Sequence, residues 1–331
     1  MHLSRPLLAL AVALAAASAC AAPRPQGVPA PAPDADGSRH YLFSYFKGNG
    51  EDGLHLAHST DGLTWTALRG DSSFLTPEVG TERLMRDPSI VRGPDGLFHM
   101  VWTSGWNEKG IGYASSPDLI HWSPQRFIPV MEHEPTTRNS WAPELFYDDR
   151  TGEYLIFWAS TIPGRYPAND GQGASATSPG YNHRIYFVTT RDFQSFSPTK
   201  LLYEHGFSSI DATIYRDGDH YLMFVKDETG PPFPVQKNLR ISTAPDPRGP
   251  WSAPSAPITG KEWAEGPTAL RIDGRWYLYF DRYTEHRYGL LVSGDLKQWS
   301  DWTDRLRVPM GIRHGTAFAV DASIAKALGA L

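Results

Sequence analysis

The chain has 331 residues, 12% of them aromatic and 20% charged, with 31 Lys and Arg against 36 Asp and Glu and a formal charge of −5. With no basic excess and no run of like charge, nucleic acid is excluded as the main partner. A single Cys excludes a disulfide framework and a Cys-based zinc site, and 30 Gly with 28 Pro exclude a helix-dominated chain.

The N-terminus begins with Arg5 and an apolar run over residues 7–17, shorter than the roughly 20 residues that cross a bilayer. This pattern predicts a signal peptide over residues 1–19. Ala17-Ser18-Ala19 ahead of Cys20 resembles a bacterial lipoprotein cleavage box, which would make Cys20 the lipidated first residue. Ordinary cleavage at the same A-x-A site, leaving the thiol unmodified, is the alternative. Residues 20–39 form a Pro-rich tether without a core of its own, and the folded domain spans residues 40–331. The expected location is outside the cytoplasm, as a periplasmic or cell-envelope lipoprotein or a secreted protein, touching membrane only through that lipid.

Beyond the tether an aromatic-rich strand recurs: residues 40–46 (HYLFSYF), 97–103 (LFHMVWT), 153–158 (EYLIFW), 220–225 (HYLMFV) and 275–280 (RWYLYF). The starts lie 57, 56, 67 and 55 residues apart. Hairpin signals precede the last four, at residues 94–96 (PDG), 149–152 (DRTG), 217–219 (DGD) and 273–274 (DG). After each aromatic strand comes another that ends in a Ser/Thr–Asp–aromatic signature, as in residues 59–65 (STDGLTW), 116–122, 190–196 and 293–299. The copy from Ser242 to Trp251 is stretched. Five such units predict an all-β, five-bladed β-propeller folded as one domain, with rings filling the wedges between blades. Helix is expected only at residues 322–331.

A short strand leads into each hairpin: residues 86–91 (RDPSIV), 141–146 (WAPELF), 210–215 (IDATIY) and 265–270 (EGPTAL). A fifth, residues 314–319 (HGTAFA), has no aromatic strand after it, and the first aromatic strand has no such strand before it. Pairing of the N- and C-terminal segments therefore closes the ring and removes exposed edges. In a propeller these first strands line the central channel. Asp87, the turn from Trp141 to Glu144, Asp211, Glu265 and His314 are thus delivered to one channel mouth. Like charges so gathered raise one another's pKa, an arrangement of little use to a purely structural protein.

In these motifs, and in their order, the chain resembles glycoside hydrolase family 43, over the span from His40 to about Phe318. The resemblance implies inverting hydrolysis of arabinose- or xylose-type glycosides. Asp87 would be the general base, Glu265 the general acid, and Asp211 a neighbour whose negative charge raises the pKa of that acid. Inverting pairs stand roughly 6.5–9.5 Å apart; a retaining, fructosidase-type pair would need about 5–5.5 Å. His314 matches the family's channel histidine, which implies a structural calcium ion held directly or through water, although no cofactor is required for the chemistry. A neutral histidine satisfied by the channel wall is equally consistent with the sequence.

Arg86 adjoins the base. Lys226 and Arg282 leave their strands at the same channel end, to bind sugar hydroxyls or to neutralise carboxylates. Glu144 joins these as a substrate-binding candidate, and Trp106 and Trp141 are candidate platforms for a sugar face. His133, between two Glu, reads as solvated charge. Residues 163–181 interrupt one blade with a Gly/Ser/Pro-rich loop, expected to edge the pocket near the leaving group. The expected partner is a plant-type poly- or oligosaccharide and the expected activity α-L-arabinofuranosidase. β-Xylosidase is the alternative within the family, and a catalytically silent carbohydrate-binding propeller the alternative outside it.

Overall fold

The computed structural model describes residues 39–174, 180–261 and 263–331, so the expected signal peptide, Cys20 and all but the last residue of the tether lie outside the described residues. Five antiparallel sheets stand as the blades of a propeller. The first combines Ala317–Val320 with His40–Tyr45, His55–Ser59 and Thr66–Ala67, and the second runs from Arg86–Arg92 through Phe98–Thr103 and Ile111–Ser116 to Arg126–Ile128. The third starts at Trp141–Asp148, the fourth at Ser209–Asp217 and the fifth at Glu265–Ile272.

Ring closure is as the half-repeats require. His40 pairs with Val320 and Phe43 with Ala317, so the last strand of the chain becomes the innermost strand of the first blade. Gly315 permits the approach, because a Cβ there would sit 1.7 Å from the Ser44 carbonyl oxygen. The fourth blade has three strands where the others have four. It carries the stretched signature, and its chain turns away after Asn238–Ala244.

Each pair of neighbouring blades shares one apolar cluster. Trp102 and Phe98 lie in the cluster between the first and second blades, Trp158 and Val101 between the second and third, and Leu278 and Phe224 between the fourth and fifth. Trp102 and Trp158 are among the largest side chains wholly withdrawn from water. The Ser/Thr–Asp–aromatic signatures close tight turns at the blade rims: Asp118 Oδ1 accepts from the backbone N–H of Ile120 and His121, and Asp61, Asp192 and Asp295 do the same in their repeats. They are capping devices at an Asx-type turn. One α-helix, Ala322–Ala327, occurs among the described residues, shorter than the sequence pattern suggests.

Candidate active site

Four inner strands share one irregularity: in the aligned four-residue segments that start at Arg86, Trp141, Ile210 and Glu265, the register to the next strand shifts between the first residue and the fourth. The second residue of each has a positive φ: Asp87 (52°), Ala142 (46°), Asp211 (52°) and Gly266 (54°). An extra residue in a bulge re-aims the side chains on either side of it. The charged groups of the five strands therefore do not occupy one equivalent position. Glu265 is a first residue, and so by register is His314, three before Ala317. Asp87 and Asp211 are second residues, and Glu144 is a fourth.

First and second positions face the channel mouth. A cavity of about 540 Å³ there is lined by Arg86, Asp87, Trp106, Trp141, Asp211, Lys226, Glu265 and His314. Glu144 is not among them. Its carboxylate turns inward, accepts a hydrogen bond from Ser89 Oγ at 2.9 Å, and borders a cleft of about 20 Å³ beneath Asp87 and Asp211. That space suits one water molecule. Its expected place among the sugar-contacting residues is corrected accordingly, the bulge being the reason. Burial lifts its pKa to about 8, Ser89 opposes this, and the charges of Asp87 and Asp211 add to the rise.

Arg282 is also placed elsewhere. Its guanidinium is held by Glu285 Oε1 at 2.6 and 2.9 Å, away from the cavity. Arg313 takes the position the sequence suggested for it. Its Nη2 donates to Glu265 Oε1 at 2.9 Å and its Nε to Asp281 Oδ2 at 2.6 Å. Lying beside His314 at the start of an inner strand was its only signal in the sequence. Glu228 was missed as well, although it follows Lys226 by two residues and so leaves the strand on the same side.

His314 stands between the two outer carboxylates. Nδ1 is 3.1 Å from Asp87 Oδ1 and Nε2 is 2.9 Å from Glu265 Oε1. One imidazole between them caps the separation of those two oxygens at about 8 Å, within the upper limit for an inverting pair. Asp87 Oδ2 further accepts from Thr103 Oγ1 at 2.7 Å. Burial pushes the Asp87 pKa up, but His314, Arg86 and Thr103 outweigh it and hold the group below its ordinary value.

Glu265 behaves differently from expectation. Burial again favours the neutral acid, yet Lys226 Nζ at 2.9 Å and His314 override it, and its pKa falls well below the usual value. Asp211 is the carboxyl that rises. Burial is the main cause, His314 and Lys226 partly offset it, and with Glu265 and Asp87 adding repulsion it reaches about 6. Asp211 Oδ2 accepts from the Gly266 backbone N–H at 2.9 Å. The negative charge of Asp211 does not prevail over the cations around Glu265, which corrects the expected direction of influence in the free site. His314 itself is raised well above 6.5: burial lowers it, but Glu265, Asp281 and Asp87 win. That direction favours the charged imidazole over the neutral ring.

Glu265, Asp281 and His314 cluster tightly enough to suggest a metal site. The donor set does not fit a calcium ion. Arg313 bonds both carboxylates, and the two His314 nitrogens already face three carboxylates, so the oxygens a calcium ion would need are held by protein groups. The positive charge of the channel comes from protein groups.

The rim is aromatic. The Arg86 guanidinium lies 4.4 Å above the Trp106 ring and 4.7 Å from that of Phe46. Asn49 Oδ1 accepts from Arg86 at 3.0 Å and from Trp106 Nε1 at 3.1 Å. Trp141 meets Trp106 edge-on at 5.4 Å and Tyr181 at 4.9 Å. Gln172, Gly173 and Tyr181 also line the cavity, which puts the described part of the interrupting loop at its edge; residues 175–179 lie outside the described residues. His133 is exposed, as a solvated group should be.

The arrangement offers a carboxylate held toward its charged form, a second carboxylate in contact with His314, and aromatic walls. A glycoside hydrolase 43-related family model, described as "Probable glycosyl hydrolase domain", matches residues 36–324. An α-L-arabinofuranosidase of Bifidobacterium longum is 25% identical over 194 residues, covering 51% of this chain and 17% of the relative. The match thus spans less than a fifth of that protein. Among solved structures, an α-L-arabinofuranosidase from Lactobacillus brevis has a TM-score of 0.48 at 20% identity, covering 66% of this chain and 72% of that one. An exo-β-1,3-galactanase from Phanerochaete chrysosporium has a TM-score of 0.48 at 15% identity, covering 69% and 52%.

Proposed function

The chain belongs to the glycoside hydrolase 43-related family, and from that premise we propose that it is an exported glycosidase that cleaves by single displacement with inversion. The observation that carries the reading is the row Asp87–His314–Glu265 on the floor of the cavity. Asp87, ionised, takes a proton from the water that attacks the anomeric carbon. Glu265 gives a proton to the leaving oxygen. In the free site that proton is drawn onto Asp211 and His314. A sugar that engages Lys226 withdraws a cation from Glu265, and the carboxylate pKa then rises toward that of an acid. The two carboxyl groups, Asp211 and Glu265, titrate as a unit.

The preferred substrate is an α-L-arabinofuranoside, supported by the partial likeness to the Bifidobacterium enzyme; a β-xyloside is next. The signal-peptide pattern ahead of Cys20 supports export, with lipidation of that residue as the anchor. A second reading, a sugar-binding propeller without catalysis, is favoured by one observation: Lys226 and Arg313 both donate to Glu265 at 2.9 Å and favour its charged form, where an acid needs its proton.

Hydrolysis of aryl α-L-arabinofuranoside and β-D-xyloside by the mature protein separates the two. The catalytic reading expects turnover of one of them, an inverted sugar by NMR, and a loss of about 10²–10⁴-fold in both Asp87→Asn and Glu265→Gln. Undiminished activity in Asp87→Asn would sink the mechanism. Sugar binding without turnover of any glycoside establishes the second reading.

A further inference from the structure

Beside the catalytic cavity lies a larger one, of about 650 Å³, that the reaction does not use. Arg313 lines both, and Tyr283 stands at the boundary, its ring 4.8 Å from Lys226 Nζ on one side and part of the second cavity on the other. Its volume lies in the range of sites that hold small molecules. Three guanidinium groups, Arg287, Arg307 and Arg313, face it against two carboxylates, Asp281 and Asp304, an excess of positive charge in a chain whose formal charge is −5.

Arg287 and Arg313 already hold carboxylates, Glu285 at 2.9 Å and Asp281 at 2.6 Å. Arg307 is different. Its Nη1 donates at 2.8 Å to the backbone oxygens of Asp304 and Leu306, and no carboxylate of the described residues lies within ion-pair distance of it. Its backbone is pinned to the first blade, through Trp65 N–H to the Arg307 oxygen and Arg307 N–H to the Leu63 oxygen, each at 2.8 Å. A guanidinium on a pinned backbone, with Nε and Nη2 still free to donate, is suited to a planar, bidentate anion. The Tyr288 hydroxyl, on a residue that lines the same cavity, is buried with no hydrogen-bond partner, and Met310, 91% exposed, gives an apolar lip.

We propose that this cavity is a subsite for the part of the glycan beyond the scissile bond, and that it takes a sugar bearing a carboxylate, a uronic acid, with Arg307 as its anion-binding residue. The inference rests on the glycosidase reading for its place in the reaction, but binding can be measured without turnover. The probes are glucuronic-acid-substituted xylotriose and plain xylotriose, titrated calorimetrically into the full mature chain carrying Asp87→Asn to suppress hydrolysis.

The acidic probe is expected to bind about 10- to 100-fold more tightly, the worth of a charge-assisted bidentate pair. Arg307→Glu is expected to abolish that difference, and Lys297→Glu, the same charge change on an exposed outer turn, to keep it. Equal affinity for the two probes overturns the proposal, as does a preference that survives Arg307→Glu in a variant with an unchanged melting temperature. A preference for the acidic probe in a protein that hydrolyses nothing upholds the cavity and refutes the glycosidase reading, so the two failures are distinguishable.

Discussion

Two carboxyl groups at the floor of the site are pushed one way and two the other, and pH separates them. Asp87 must be ionised, so activity falls as pH drops through a pKa below the ordinary ~3.9 of Asp. The proton shared by Asp211 and Glu265 must be present, so activity falls as pH rises through about 6. Lys226→Met removes the first cation acting on Glu265. The carboxylate then ionises less readily, and the alkaline limb of kcat/KM is expected to move to higher pH. A limb that stays in place would remove Lys226 from the proton balance. Glu144 gives a stability test instead. Its folded pKa of about 8 exceeds the unfolded ~4.3, so its contribution is most favourable below that lower value and is lost as pH rises toward 8. Glu144→Gln is therefore expected to gain stability relative to the parent between those pH values, on the order of 2–4 kcal/mol at the top, in urea titrations run across the range. Little of this was legible in sequence. The residue types and their blade assignment were, but the winner between burial and charge at Glu265 depends on how close Lys226 and His314 come to it, a distance that only the fold sets.

At the level of strands, one inserted residue in each of four inner strands decides what faces the cavity and what lies beneath it. Hydroxyl and carboxylate side chains hold these bulges to their neighbours: Thr103 Oγ1 accepts from Ala142 N–H, Asp211 from Gly266 N–H and Thr268 Oγ1 from Ala317 N–H, all within 2.8–2.9 Å. Ala142 tolerates its left-handed backbone with a Cβ. Gly266, at the same position, cannot gain one, because the added carbon would lie 2.4 Å from His314 Cγ. Gly266→Ala is expected to cost about 1–3 kcal/mol in denaturation experiments and to depress kcat by shifting the imidazole. Wild-type kcat in that variant would show that His314 has room to move. The strands themselves were readable because alternation and Asp-Gly turns are local signals. The bulges were not, since a left-handed Asp looks like any other Asp before Pro or Ala, and a shift of register swaps faces without changing composition. Glu144 was assigned to the cavity for that reason; Arg282 was assigned there because it was aligned with Lys226, whereas the register makes Asp281 the counterpart of Lys226 and turns Arg282, one residue on, to the other face.

For the whole molecule, closure of the ring and completion of the site are one event. The strand that seals the first blade starts three residues after His314, and Ser44, on its partner, donates to the Pro88 oxygen at 2.6 Å and accepts from Thr316 N–H at 2.9 Å. One hydroxyl thus joins both termini to the bulge that carries Asp87. A chain ending at Arg313 is expected to lose its single cooperative thermal transition along with its activity; a retained transition at the same temperature would mean that the ring does not need its seal. The direction of that seal has a mechanical consequence. His40 faces Val320, so the two chain ends leave the ladder side by side. Tension between an anchored N-terminus and a load at the C-terminus would therefore peel the ladder rung by rung, where a ladder pulled from opposite ends bears the load on all rungs at once. The rungs open toward the site, Val320 first and Ala317 last, so a molecule under such strain would surrender His314 only after the seal has gone.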